Sequence, residues 1–73
     1  MKTAQALKAA QKLLAYSQFL EKRDPEESVR ILHVANSGMA AVTAYLHDRE
    51  APVPSDSQNA IATMLVEADA IPG

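Results

Sequence analysis

The apolar residues of the chain recur every three or four positions in three segments, which is the spacing of helices with one buried face. The pattern predicts helices over about residues 3–22, 25–49 and 56–69, the last one shorter than the other two. No segment alternates apolar and polar side chains as a half-buried strand does. The sequence therefore predicts an all-α, three-helix domain that spans residues 1–73.

Two short segments separate the predicted helices. In "RDPEES", Asp24 suits the N-cap because its carboxylate accepts backbone N–H groups, and Pro25 suits the first helical position. Glu27 lies where a capping-box side chain reaches back to the cap. Almost no loop remains, so the first two helices should form a tight antiparallel hairpin. In "REAPVPSDSQ", two prolines stop the second helix, and Ser55 with Gln58 predicts the cap of the third.

Helical-wheel positions predict which face of each helix is buried. The core face of the first helix consists of Ala6, Leu7, Ala9, Ala10, Leu13, Leu14, Tyr16 and Leu20, and that of the third consists of Ile61, Met64, Leu65 and Ala68. The apolar face of the second helix covers more than half of its circumference: Val29, Ile31, Leu32, Val34, Ala35, Gly38, Met39, Val42, Tyr45 and Leu46. Such a helix usually packs on several sides, so we expect a second subunit to cover part of it.

Length and composition favour the same expectation. A 73-residue chain without cysteine has neither disulfides nor thiolate metal sites to stabilise it, so a partner subunit is the remaining support. Fourteen alanines fill little volume, which requires closely packed helices. The chain has no apolar run of the roughly 20 residues that a membrane span needs, and its N-terminus lacks the apolar core of a signal peptide. We therefore expect a cytoplasmic homo-oligomer.

Charge is distributed unevenly, with +4 over residues 1–23 and −6 over residues 24–73. The only phenylalanine, Phe19, falls on the polar side of the first helix, where an exposed aromatic among cations is typical of an interaction anchor. The predicted partner-binding residues are Lys8, Lys12, Phe19 and Arg23. Two alternatives stay open: residues 51–57 or the third helix cover Phe19, or its ring stacks on a base of single-stranded nucleic acid.

A polar seam follows one edge of the second helix in "HVANSGMAAVTAYLH". His33, Asn36, Ala40, Thr43 and His47 are spaced three and four residues apart in turn. The seam either fixes the register of a subunit interface, as a buried Asn does in coiled coils, or lines a groove for a small polar ligand. Gly38 in mid-helix indicates the close approach of another backbone or a ligand. The predicted interface comprises the seam together with Gly38 and Met39.

Catalytic, metal and sequence-reading motifs are missing from the sequence. His33 and His47 lie about 21 Å apart along one helix and cannot share a metal ion. The chain has no cysteine nucleophile, no GxSxG, no HExxH and no glycine-rich phosphate loop. The third helix carries no Lys or Arg with which to read bases. Residues 6–46 resemble the first two helices of small HEPN-type proteins, but Arg30 and His33 are too close for that family's ribonuclease motif.

These observations predict a non-enzymatic helical protein that binds other proteins. Its class would be an adaptor, an inhibitor or an antitoxin-like regulator of the phage or plasmid type, acting as a homo-oligomer without a cofactor. Neither a membrane nor a nucleic acid is an expected partner. The alternative is an oligomeric binder of a small polar ligand through His33, Asn36, Thr43 and His47.

Overall fold

Three helices account for the architecture: α1 (Thr3–Leu20), α2 (Pro25–His47) and α3 (Ser55–Ala70). The computed structural model describes residues 3–47 and 52–72, and within these ranges it contains no strand. The prediction of an all-α, three-helix domain is confirmed. The predicted end of the second helix at residue 49 lies outside the described residues. Each helix packs on both of the others, and the chain runs up α1, down α2 and up α3.

The turn between α1 and α2 is as tight as expected, but α1 ends two residues earlier than predicted. The amide of Glu21 donates to the Gln18 carbonyl at 3.3 Å and that of Arg23 donates to the Leu20 carbonyl at 2.9 Å. These bonds span three residues instead of four, which tightens the last turn and ends the helix. Asp24 then caps α2, because its carboxylate accepts the Glu27 amide at 3.3 Å.

The cap predicted for α3 is wrong. Pro54, with ψ of 151°, occupies the N-cap position, and its carbonyl accepts the Gln58 amide at 3.0 Å. Ser55 is already the first helical residue. The side-chain amide of Gln58 donates to the Val53 carbonyl at 3.0 Å, which ties the helix to the preceding segment.

The core lies along the line where the three helices meet, and small side chains let them approach closely. Half of the apolar side chains buried in the described ranges are alanines. The fully buried large ones are Leu13, Ile31, Val42 and Met64. The buried stripe predicted for α3 is confirmed, with Ile61, Met64 and Ala68 buried and Leu65 packed against them. Ala41, which is not part of the apolar face predicted for α2, is also buried.

Two serines that the sequence analysis did not single out fix the register of the hairpin. Ser17 on α1 and Ser28 on α2 are both buried, and each hydroxyl donates to the carbonyl of the other residue, at 2.9 and 2.7 Å. Their hydroxyl oxygens lie 3.1 Å apart. Because each buried hydroxyl is satisfied, the small side chains bring the two backbones together without an unpaired polar group.

Arg30 joins α2 to α3. Its guanidinium donates to both carboxylate oxygens of Glu67, at 2.8 and 3.1 Å, and to Glu27 one turn earlier on α2 at 2.9 Å. These hydrogen bonds lower the pKa of Glu27 and of Glu67 below the ordinary value of 4.5, and they raise the pKa of Arg30. Glu27 therefore supports Arg30 instead of completing the predicted capping box.

We expect Arg30→Gln to lower the melting temperature at pH 7 and to lose this effect in acid. A carboxyl with a lowered pKa in the folded state stabilises the fold above its ordinary pKa of 4.5 and loses that contribution as the pH falls through the lowered value. Thermal unfolding of both proteins between pH 7 and pH 3 measures the difference. Lys22→Gln, which removes an exposed cation, is the control. A constant difference over this pH range would contradict the assignment.

Candidate protein-interaction surfaces

An apolar surface runs along the outside of the α1–α2 hairpin. Its members recur every seven residues, which keeps them in line along each helix. We call it the hairpin face: Leu7 and Leu14 on α1 with Leu32, Met39 and Leu46 on α2. The four leucines are 38–40% exposed, and Met39 is half-buried against the core.

The register of the hairpin brings the two rows of this surface together. Leu14 and Leu32 line one groove with the paired serines Ser17 and Ser28. Because α1 and α2 are antiparallel, the residues seven positions further from the turn on each helix also face each other. Leu7 therefore lies opposite Met39. Val29, which is 66% exposed, extends the apolar surface towards the turn. The expectation that α1 and α3 leave part of the apolar face of α2 uncovered is confirmed.

The predicted polar seam borders the hairpin face. His33, Asn36, Ala40, Thr43 and His47 are all exposed. Thr43 uses its hydroxyl within the helix, where it donates to the Met39 carbonyl at 2.8 Å. The seam lies on the convex outer side of α2, so a small ligand there would be open to solvent on most sides.

Gly38, which the sequence analysis assigned to the predicted interface, faces α3. A Cβ placed on Gly38 would lie 2.5 Å from Met64 Sδ and 2.9 Å from Met64 Cβ. The close approach inferred from a mid-helix glycine therefore occurs within the chain. Its neighbour Met39, about 100° further round α2, is part of the hairpin face.

Phe19 is 56% exposed, so neither α3 nor the described part of the 51–57 segment covers it. Its ring stacks on Tyr16 with centroids 6.0 Å apart and planes 15° from parallel. The guanidinium carbon of Arg23 lies 4.5 Å from the centre of the Phe19 ring, a cation–π contact. Pro72, after the end of α3, lines a shallow recess with the two aromatic rings. The structure thus brings the predicted residues Phe19 and Arg23 together.

The other two predicted partner-binding residues, Lys8 and Lys12, line a groove between α1 and α3. We call it the α1–α3 groove; it is lined by Gln5, Lys8, Ala9, Lys12, Leu65, Val66, Ala68 and Asp69. Val66 is 69% exposed at its edge. The sequence pattern did not predict the α3 wall, although Val66 is an apolar residue outside the buried stripe.

The hairpin face and the α1–α3 groove differ in charge. The ion pairs found within residues 3–47 and 52–72 all involve Arg30, so Lys8, Lys12 and Arg23 are without an ion-pair partner there. The five residues of the hairpin face are uncharged, and Glu21 lines the groove of Leu14 and Leu32 near the turn. The described chain thus presents one uncharged apolar surface and one mainly cationic groove.

The described ranges contain few side chains that could serve a chemical role other than binding. No three His, Asp or Glu side chains there are close enough to hold a metal ion, and every buried side-chain N or O atom has a hydrogen-bond partner. None of the described helices is both long and apolar enough to cross a membrane. Comparison with protein-family models, with characterised proteins and with solved structures finds no match to this chain.

Proposed function

We propose that this chain is a non-enzymatic, protein-binding helical domain that acts as a homodimer, with the hairpin faces of two copies packed together. The observation that carries the proposal is the uncharged row of exposed apolar side chains along α1 and α2. A contiguous exposed apolar surface with a polar border is typical of a protein–protein contact. Here the border is formed by Asn36 and Thr43 of the seam.

The surface area of the chain supports this proposal. A compact monomer of 7.9 kDa exposes about 4,400 Å², whereas this chain exposes 5175 Å². A second hairpin would supply the burial that a 73-residue chain with an alanine-rich core lacks.

The chemistry of the surface favours a second copy over a charged partner. Two identical surfaces carry identical charges, so a symmetric contact is easiest where no charge is present. The five residues of the hairpin face meet this condition, with Glu21 beside them only near the turn, and their seven-residue repeat suits packing of helix against helix. Asn36 and Thr43 would then lie at the edge of the contact, where amide and hydroxyl groups can set its register.

Binding of a small polar ligand through the seam is less well supported. A ligand site is usually concave and encloses most of its ligand, whereas His33, Asn36, Thr43 and His47 lie on the convex side of one helix. Walls for such a site would have to come from another subunit. The ligand hypothesis therefore also depends on assembly.

Sedimentation equilibrium of the purified chain over a wide range of concentrations tests the proposal. We expect a concentration-dependent mass that approaches twice 7.9 kDa. A mass of one chain at every concentration would contradict self-association, and a larger multiple would contradict a dimer. A melting temperature that rises with protein concentration is the expected second sign, since dimerisation stabilises the folded state by mass action.

A further inference from the structure

The α1–α3 groove is a second surface, distinct from the hairpin face. The helices α1 and α3 run in the same direction. Ala9 and Leu65 line the same part of the groove, and seven residues further along the chain from each, Tyr16 and Pro72 lie together. Its floor is apolar, and its α1 wall is cationic. The cationic wall continues past Phe19 to Arg23, which lies over the phenylalanine ring.

The cations of this wall are placed to receive carboxylates. Lys8 and Lys12 have no ion-pair partner in the described ranges, although the carboxylate of Asp69 lines the same groove. A guanidinium that stacks on an aromatic ring keeps its N–H edge available, and this edge matches a carboxylate with two hydrogen bonds. Lys8 and Lys12 against Asp69 make the groove positive on a chain whose net charge is −2, and Arg23 adds a third cation beyond its end.

We propose that the α1–α3 groove binds an acidic segment of another protein. Carboxylates of the segment pair with Lys8, Lys12 and Arg23, and apolar side chains of the segment pack on Val66 and on Phe19. Lys8 and Arg23 are fifteen residues apart, about 22 Å along the helix direction, which a helical segment of about 15 residues or an extended one of about 7 covers. The inference rests on the proposed function in that the chain acts by binding proteins, but it uses a different surface.

An acidic protein segment fits this groove better than nucleic acid or a second copy does. A nucleic-acid strand would pass the Asp69 carboxylate and meet an acidic molecule, and Arg23 already occupies a face of the Phe19 ring. A second copy could offer its exposed acids Glu21, Glu26 and Asp56, but in the proposed homodimer it packs on the hairpin face and leaves the groove open. An acidic segment also passes Asp69, but it can place an uncharged residue there, whereas a nucleic-acid strand carries a charge at every nucleotide.

Selection from a phage-displayed library of random peptides tests the proposal. We expect the selected peptides to be rich in Asp and Glu and to contain at least one aromatic or aliphatic residue. Fluorescence anisotropy of the strongest selected peptide, labelled with fluorescein, should show tightest binding at low ionic strength, because exposed charge pairs are screened by salt. No selected peptide, or peptides without acidic enrichment, would overturn the proposal. Stronger binding of a labelled oligothymidylate would overturn it in favour of nucleic acid.

Variants locate the binding on the groove. We expect Phe19→Ala to weaken peptide binding about tenfold or more, as an anchor residue does, and Lys8→Gln with Lys12→Gln to weaken it about three- to tenfold. Asn59→Asp with Thr63→Glu also lowers the net charge by two, on the outer side of α3, and is the matched control. Equal effects of the two charge-changing pairs would overturn the site.

Sedimentation of the same variants separates this proposal from the homodimer. Phe19 and the two lysines lie outside the hairpin face, so their variants should keep the mass of the wild type. Loss of peptide binding with an intact dimer assigns the peptide to the groove. A monomeric wild type that still binds acidic peptides through Phe19 would remove the dimer and leave the groove proposal standing.

Discussion

Gly38→Leu is expected to lower the free energy of unfolding by at least about 3 kcal/mol. Even a methyl group at this position would lie 2.5 Å from Met64 Sδ and 2.9 Å from Met64 Cβ, so α3 must move away from α2. Overpacking a core costs about 1–3 kcal/mol, and leucine adds three more carbons than the methyl that already clashes. The higher helix propensity of leucine returns less than 1 kcal/mol.

Thermal and urea-induced unfolding followed by circular dichroism measure the effect. A domain of this size has about 4–11 kcal/mol of stability, and each kcal/mol shifts the melting temperature by about 4–8 °C. We therefore expect Gly38→Leu to melt at least about 12 °C lower or to be unfolded. Ala40→Leu, two residues further on the exposed side of α2, is the matched control and should melt close to the wild type. A Gly38→Leu protein with wild-type stability would contradict the contact with Met64.

The local rules of helix formation explain how much of this fold can be read from the sequence. Asp24 and Pro25 mark the start of α2 because capping and proline geometry depend on neighbouring residues alone. The buried stripe of α3 was predictable because the helical period fixes which side chains share a face. The cap of α3 was not predictable by these rules, because Pro54, which occupies the N-cap position, is not among the residues preferred there.

Interactions between helices were not predictable from the pattern. Ser17 and Ser28 are eleven residues apart and polar, so the wheel gives no reason to bury them. Arg30 meets Glu67 across 37 positions of the sequence. Gly38 was recognised as a point of close approach, but only the fold shows that Met64 fills the space.

The candidate surfaces were predictable from the sequence only in part. Phe19 with Arg23 was predictable because both lie on the polar side of one helix, at positions four residues apart. The α3 wall of the groove was not predictable, because the sequence does not give the direction in which α3 packs on α1. The hairpin face required the hairpin register, which brings Leu14 beside Leu32.

Leu14→Glu combined with Leu32→Glu is expected to convert the proposed homodimer into a monomer. Both leucines are about 40% exposed in the single chain and lie side by side on the hairpin face. In a symmetric dimer each substitution occurs twice, so four carboxylates would enter an apolar contact. If each of the two substitutions lowers the binding free energy by about 2 kcal/mol or more, the dissociation constant should rise about a thousandfold or more.

Sedimentation equilibrium of wild type and variant at matched concentrations measures this change, and circular dichroism shows whether the helices remain. Val66→Glu combined with Thr63→Glu is the matched control, because it adds two glutamates to exposed positions of α3. The control should keep the mass of the wild type, whereas the hairpin-face variant should have the mass of one chain. If the hairpin-face variant stays a dimer while the control dissociates, the contact lies on α3. Leu14 and Leu32 would then not be the residues through which two copies meet.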